Sequence, residues 1–144
     1  MTCTFFGHRD TPDSVREKLK VQLIDLIKNM GVDMFYVGNH GNFDRMVIGI
    51  LKTLKLIYPI DYRVVPAYPP SRNSVYKGDE TEYPEGIEEI AKQFAIEYRN
   101  NWMLKCADVV VAYVGHDWGG AAKYVRTAKL RRLYVINLFE DLSK

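Results

Sequence analysis

Three short stretches hold the residues best suited to chemistry: Gly7-His8-Arg9, Gly38-Asn39-His40-Gly41-Asn42 and Asp117-Trp118-Gly119-Gly120. Each joins glycine, which lets a backbone approach a ligand closely, to polar or titratable side chains. Arg9 offers a planar fork that matches phosphate, although an arginine here can equally pair with Asp10 or a helix end. His8 titrates near neutral pH, but a loop histidine more often makes a local hydrogen bond than moves a catalytic proton. Asp44, followed by Arg45, falls in the first turn of a helix. A carboxylate there complements the helix dipole without further role, or faces a ribose hydroxyl or Arg45. Trp118 can stack on a base or simply cover apolar surface. Together these residue types point to capture of an anion such as phosphate or carboxylate.

The surrounding elements must bring the three stretches together. Thr2-Cys3-Thr4-Phe5-Phe6 is β-branched and aromatic, as a short strand requires. Beyond the first turn, Val15, Leu19, Leu23, Leu26, Ile27 and Met30 recur at helical spacing. Thr11 as N-cap with Pro12 at the first helical position opens that helix, with Ser14 and Glu17 as a competing capping box. Gly31 is the expected C′ residue. A strand over 34–37 precedes a second helix whose Phe43, Met46, Val47, Ile50, Leu51 and Leu54 form the cleanest apolar stripe in the chain. A third strand covers 62–65. Periodicity then stops from Pro66 to Gly86, a stretch with four of the six prolines, which reads as a lid, a partner surface or a mobile loop. Tyr68, Arg72, Tyr76, Lys77 and Tyr83 lie in it. A helix is expected from Ile87 to about Lys105, then a strand over 108–114, apolar on both faces and so central. A helix over about 121–130 and a strand over 133–136 complete the chain.

The order β-α-β-α-β-loop-α-β-α-β predicts right-handed crossovers and a parallel sheet with helices on both faces. All three glycine turns then lie at the carboxyl edge of the strands, where free helix N–H groups and the positive dipole end suit an anion. None of them matches GxGxxG or GxxxxGK[ST], so neither a dinucleotide fingerprint nor an ATPase loop is present.

Bulk composition narrows the function classes. The 144 residues fit one domain, 47% hydrophobic and 26% charged, as in an ordinary globular protein. A net charge of +2, from 20 basic and 18 acidic residues, gives no global field for nucleic acid or an anionic membrane. No apolar run reaches membrane-spanning length and no signal-peptide pattern opens the chain. Cys3 and Cys106 are expected as reduced, buried thiols of a cytoplasmic protein, without metal-ligand spacing. The basic residues Lys129, Arg131 and Arg132 suit a helix C-terminus.

Taken in order, these motifs resemble the SLOG superfamily, the Rossmann-like group of DprA (SMF) and LOG proteins, and within it the YpsA-like branch. The matching stretches are Phe6-Gly7-His8-Arg9, Gly38…Gly41…Asp44-Arg45, Tyr98-Arg99-Asn100-Asn101-Trp102-Met103 before Ala107-Asp108, and Gly119-Gly120-Ala121-Ala122-Lys123 with Ala128-Lys129. The resemblance spans nearly the whole chain. It implies a single Rossmann-like domain over residues 1–144, a three-layer αβα fold with a mostly parallel sheet of about five strands. It also implies a nucleotide-type ligand at the carboxyl edge, touching Gly7, His8, Arg9, Gly38, Gly41, Asp44, Arg45, Arg99, Gly119, Gly120 and Ala121. Many relatives pair through helices that flank the site, so a homodimer is an expectation of the resemblance. No cofactor is implied.

LOG enzymes of this group cleave the N-glycosidic bond of nucleoside 5′-monophosphates, using a PGGxGTxxE motif and an arginine on the preceding helix. Arg99 stands where that arginine falls. Aligning Gly119-Gly120 with the GG pair places Arg126 at the glutamate, and sliding Gly120-Ala121 onto GT places Tyr124 there. No register supplies a carboxylate, and an oxocarbenium-like transition state needs one nearby. Asp117 and Asp44 are the available substitutes, with Arg99 and Asp117 the candidate catalytic residues. The expected function is therefore binding or sensing of a nucleotide-derived ligand such as ADP-ribose or a nucleoside phosphate. The alternative is a phosphoribohydrolase with a rearranged acid. Single-stranded nucleic acid is the weakest reading, for want of a basic stripe interleaved with aromatics.

Overall fold

The computed structural model describes residues 1–68 and 80–139. Arg72, Tyr76 and Lys77, and with them the centre of the expected lid, lie outside the described residues. Five strands, β1 (Thr2–Gly7), β2 (Met34–Val37), β3 (Asp61–Val64), β4 (Val109–Tyr113) and β5 (Tyr134–Asn137), form one sheet in the order β3-β2-β1-β4-β5. Every neighbouring pair is parallel. The chain steps outward from β1 to β3 and then returns to the opposite side of β1 for β4. The switch point of this doubly wound sheet therefore lies between the carboxyl ends of β1 and β4, where such sheets open a crevice.

Alternation along β1 divides the core into two layers. Cys3 and Phe5 face a cluster with α1 (Arg16–Met30) and α2 (Gly41–Lys55), built on Leu19, Leu23, Phe43, Val47 and Leu51. Phe6 faces the opposite cluster with α3 (Ala95–Cys106) and α4 (Gly120–Leu130), built on Met103, Leu104, Tyr124, Val125 and Ala128. β4 is buried along its whole length, with Val109 and Val111 in the first layer and Val110 and Ala112 in the second. Each large side chain so buried contributes about 1.5–3 kcal/mol. Thr4 is buried too, and its hydroxyl donates to the Tyr36 carbonyl at 2.9 Å. Beyond β3, Glu80 and Glu82 continue the pairing onto Val64 and cover that edge.

The expected stripe of α2 is buried throughout, and α1 ends at Gly31 in the left-handed conformation, as a C′ glycine should. Three expectations need correction. Thr11 does not cap α1: its hydroxyl donates to the His8 carbonyl at 2.6 Å, a 3₁₀ turn over Asp13–Val15 intervenes, and no side chain, Ser14 included, caps the helix. The helix expected from Ile87 begins only at Ala95, after two 3₁₀ turns over Ile87–Glu89 and Lys92–Phe94. Extended backbone at Ile90 and Ala91 separates those turns, while Ile87 packs with Ala67 and Ala95 and Phe94 is exposed. Helical spacing in this stretch reflects a short turn that buries Ile87 and a second that buries no residue, ahead of the helix itself. Finally, Cys3 is fully buried but Cys106 only partly, and burial raises the pKa of both free thiols, which are poor nucleophiles.

Candidate functional site

The chain segments that leave β1, β2 and β4 meet the start of α4 around a cavity of about 650 Å³ at the switch point. The cavity is lined by His8 and Arg9 from the first turn, His40 and Asp44 from the second, and His116, Trp118, Gly119 and Gly120 from the third. α3 closes the remaining side with Ile96, Arg99, Asn100 and Met103.

Arg99 is only 2% exposed, and its nitrogens are spoken for. Nε donates to Asn100 Oδ1 at 2.7 Å, and one terminal nitrogen donates to the Val65 carbonyl at 2.7 Å and to Asn39 Oδ1 at 3.1 Å. The other lies 3.2 Å from His40 Nδ1. Arginine can only donate, so His40 accepts on Nδ1 and carries its proton on Nε2. Burial, with the charges of Arg99 and Arg9, lowers the His40 pKa and agrees with this neutral form.

Asp44 stands in the cavity wall, its carboxylate accepting from the His40 backbone N–H at 3.1 Å. Burial pushes its pKa up to about 6, and the opposing pull of Arg99 and the His40 N–H does not overcome this. Gly38 separates these charged groups: a Cβ there would lie 2.9 Å from Asp44 Oδ2 and 3.0 Å from an Arg99 terminal nitrogen. Gly7 is likewise required by a side chain, since a Cβ would meet the Phe43 ring at 2.3 Å. Both glycines thus make room for protein atoms, where the sequence suggests room for a ligand.

The third turn presents stacked rings. His8 lies on His116 at 4.1 Å and 20°, and His116 lies on Trp118 at 3.8 Å and 11°. The Gly115 N–H donates to His8 Nε2 at 2.9 Å, so His8 is neutral with its proton on Nδ1. Burial and the neighbouring His116 lower its pKa accordingly, against a smaller pull from Asp10. Gly119, at φ +93°, then turns the chain into α4, and no side chain caps the helix that follows. The first N–H groups of α4 are therefore available to an anion. Among the described residues, the Arg9 guanidinium has no hydrogen-bond or ion-pair partner, although the residue lines the same cavity.

Of the residues singled out from sequence, Gly7, His8, Arg9, Asp44, Arg99, Gly119, Gly120 and Ala121 line the cavity. Four do not. Gly38 packs behind Arg99, and Gly41 packs on Arg9, whose Cα lies 2.7 Å from where its Cβ would stand. Arg45 points from α2 into solvent. Asp117 lies on the outer side of the third turn, in a separate groove with Arg126 and Lys129, and its carbonyl accepts from Arg126 at 2.6 Å. Sequence reasoning gave His40 no role of its own within the second turn and missed His116. The signal for His116 is present in the sequence: Gly7-His8 and Gly115-His116 repeat one dipeptide at the carboxyl ends of two adjacent strands. Among the described residues, no group of three or more His, Cys, Asp or Glu is placed to hold a metal, and no helix is long and apolar enough to cross a membrane.

Fold and cavity define the class: a three-layer α/β domain of Rossmann-like type with a cavity of mixed polar and apolar lining at its switch point. In comparisons with known proteins the chain matches no family model, no curated protein and no solved structure.

Proposed function

We propose that this domain binds a nucleotide or nucleotide-derived ligand, with a phosphate at the start of α4 and Arg9 as its counter-charge. One observation carries the reading: the uncapped helix start and Arg9, whose guanidinium has no partner among the described residues, line the same cavity as Asp44, a hydroxyl acceptor. The anion donors and the carboxylate come from different elements, the separation a ribose phosphate needs if its charge and its hydroxyls are to be read apart. The motif order set out above supports membership of the SLOG superfamily, in its YpsA-like branch.

A second reading, cleavage of nucleoside 5′-monophosphates, gains from Asp44. Its carboxyl, titrating near 6 inside the cavity, suits a general acid where the LOG glutamate is missing. Both readings are tested in one experiment. Thermal melts against a panel of nucleoside monophosphates and ADP-ribose should show a rise of about 8 °C at a hundredfold excess over Kd. The rise should largely vanish in Arg9→Ala and Gly119→Asp. Chromatography of the same samples reports free base, which should form only if the second reading holds and should then disappear in Asp44→Asn. No melting shift anywhere in the panel overturns binding; intact nucleotides after long incubation overturn cleavage.

A further inference from the structure

We propose that the ring column His8–His116–Trp118 is a base-stacking platform, so that the site takes a planar heteroaromatic ring joined to a phosphate, in preference to a sugar phosphate or phosphate alone. This rests on the phosphate reading above and extends it to the other end of the ligand.

Trp118 is 68% exposed although it carries the largest side chain available. The indole does not roof an apolar patch; among the described residues its ring contact is His116, stacked on one face. The three rings are nearly parallel, with 20° and 11° between successive planes. The outer indole face therefore continues an existing stack, ready for a fourth ring. Stacking on exposed aromatic faces is how proteins hold bases without reading their edges.

The column is also held still. The Gly115 N–H fixes His8 through Nε2 at 2.9 Å, and His116 Nδ1 lies 2.8 Å from the Trp118 carbonyl, tying the histidine to the residue it stacks on. Ordering a loop tryptophan on binding costs entropy, and here much of that ordering precedes the ligand. Position completes the case. Trp118 immediately precedes Gly119-Gly120, so an anion at the start of α4 and a ring on the indole are neighbours. The second tryptophan, Trp102, sits edge-on to Tyr36 at 5.2 Å in the α3–α4 layer and takes no part.

The test is calorimetric titration of the full chain with AMP, ribose 5-phosphate and inorganic phosphate, alongside Trp118→Ala and Trp118→Phe. Stacking predicts that AMP binds at least about tenfold more tightly than ribose 5-phosphate. Trp118→Ala should abolish that advantage and leave ribose 5-phosphate unchanged, while Trp118→Phe keeps most of it. Trp118 is exposed, so its truncation leaves the core packing in place, and a far-ultraviolet spectrum checks this. Equal binding of AMP and ribose 5-phosphate, or full AMP affinity in Trp118→Ala, overturns the platform while the phosphate reading stands. Failure of all three probes to bind the wild type overturns both.

Discussion

Replacing Asp44 with Asn removes a charge and little else, because the amide oxygen still accepts from the His40 N–H. In the wild type, burial raises the Asp44 pKa from 3.8 to about 6, against the pull of the Arg99 charge. The carboxyl is protonated in both folded and unfolded chains below pH 3.8. Between 3.8 and about 6 the folded chain holds a proton that the unfolded chain has shed, so stability falls as pH rises through this window. A shift of that size is worth about 3 kcal/mol. Urea unfolding should therefore find Asp44→Asn close to wild type near pH 4 and about 3 kcal/mol more stable at pH 7, a midpoint difference of roughly 1.5 M. If Arg99 instead dominated, the folded pKa would lie below 3.8 and the variant would be the less stable at neutral pH. A stability difference that is flat across pH 4–7, or one of the opposite slope, refutes the claim that burial outweighs the Arg99 charge.

Two further predictions concern the packing and wiring of the turns. Gly7→Ala drives a methyl into the Phe43 ring and should lower stability by about 1–3 kcal/mol, a drop of several degrees in Tm; an unchanged melt would show that Phe43 yields without cost. The lowered pKa of His8 keeps it neutral in the folded chain, so its contribution is full above pH 6.5 and is lost as pH falls through the lower folded value. His8→Gln keeps an acceptor for Gly115 and should gain in Tm relative to wild type as pH falls from 7 to 5; a difference that stays constant across this range would defeat this.

What the sequence makes legible is whatever local spacing determines. The α2 stripe and the doubly apolar run of β4 state their burial outright, and the β-α alternation states the parallel sheet. The convergence of the three turns follows from that alternation. What remains hidden depends on partners distant in sequence. Gly7 must be small because of Phe43, and Gly38 because Arg99, on α3, arrives behind it. The breaks at Ile90 and Ala91 come from a cluster that includes Ala67. Asp44 reads in sequence as a helix-dipole acid, and only burial, which outweighs the Arg99 charge, raises its pKa to about 6.

The rim of the cavity is wired as a nearly closed ring, and this narrows the groups free to meet the proposed ligand. Asn42 ties the second turn to the first, its N–H donating to the Arg9 carbonyl at 2.8 Å and its amide to the Thr11 carbonyl at 2.6 Å. Arg99 ties the second turn to α3 through Asn39 and His40, and Lys123 ties α4 to α3 through Glu97 at 2.9 Å. Gly115 and His8 join the third turn back to the first. Groups committed to this ring cannot turn to a ligand without breaking it, and Arg99 is committed most heavily of all. It acts on the cavity through its charge and by holding His40 and Asn39 in place, so Arg99→Lys should disturb the site even though the charge is retained. Among the described residues, the groups outside this ring include the Arg9 guanidinium, the first N–H groups of α4, the outer face of Trp118 and the Asp44 carboxyl. A cation, a helix start and an aromatic face match the phosphate joined to a base proposed for this site, and the hydrogen bonds of the ring limit the rearrangement such a ligand would require.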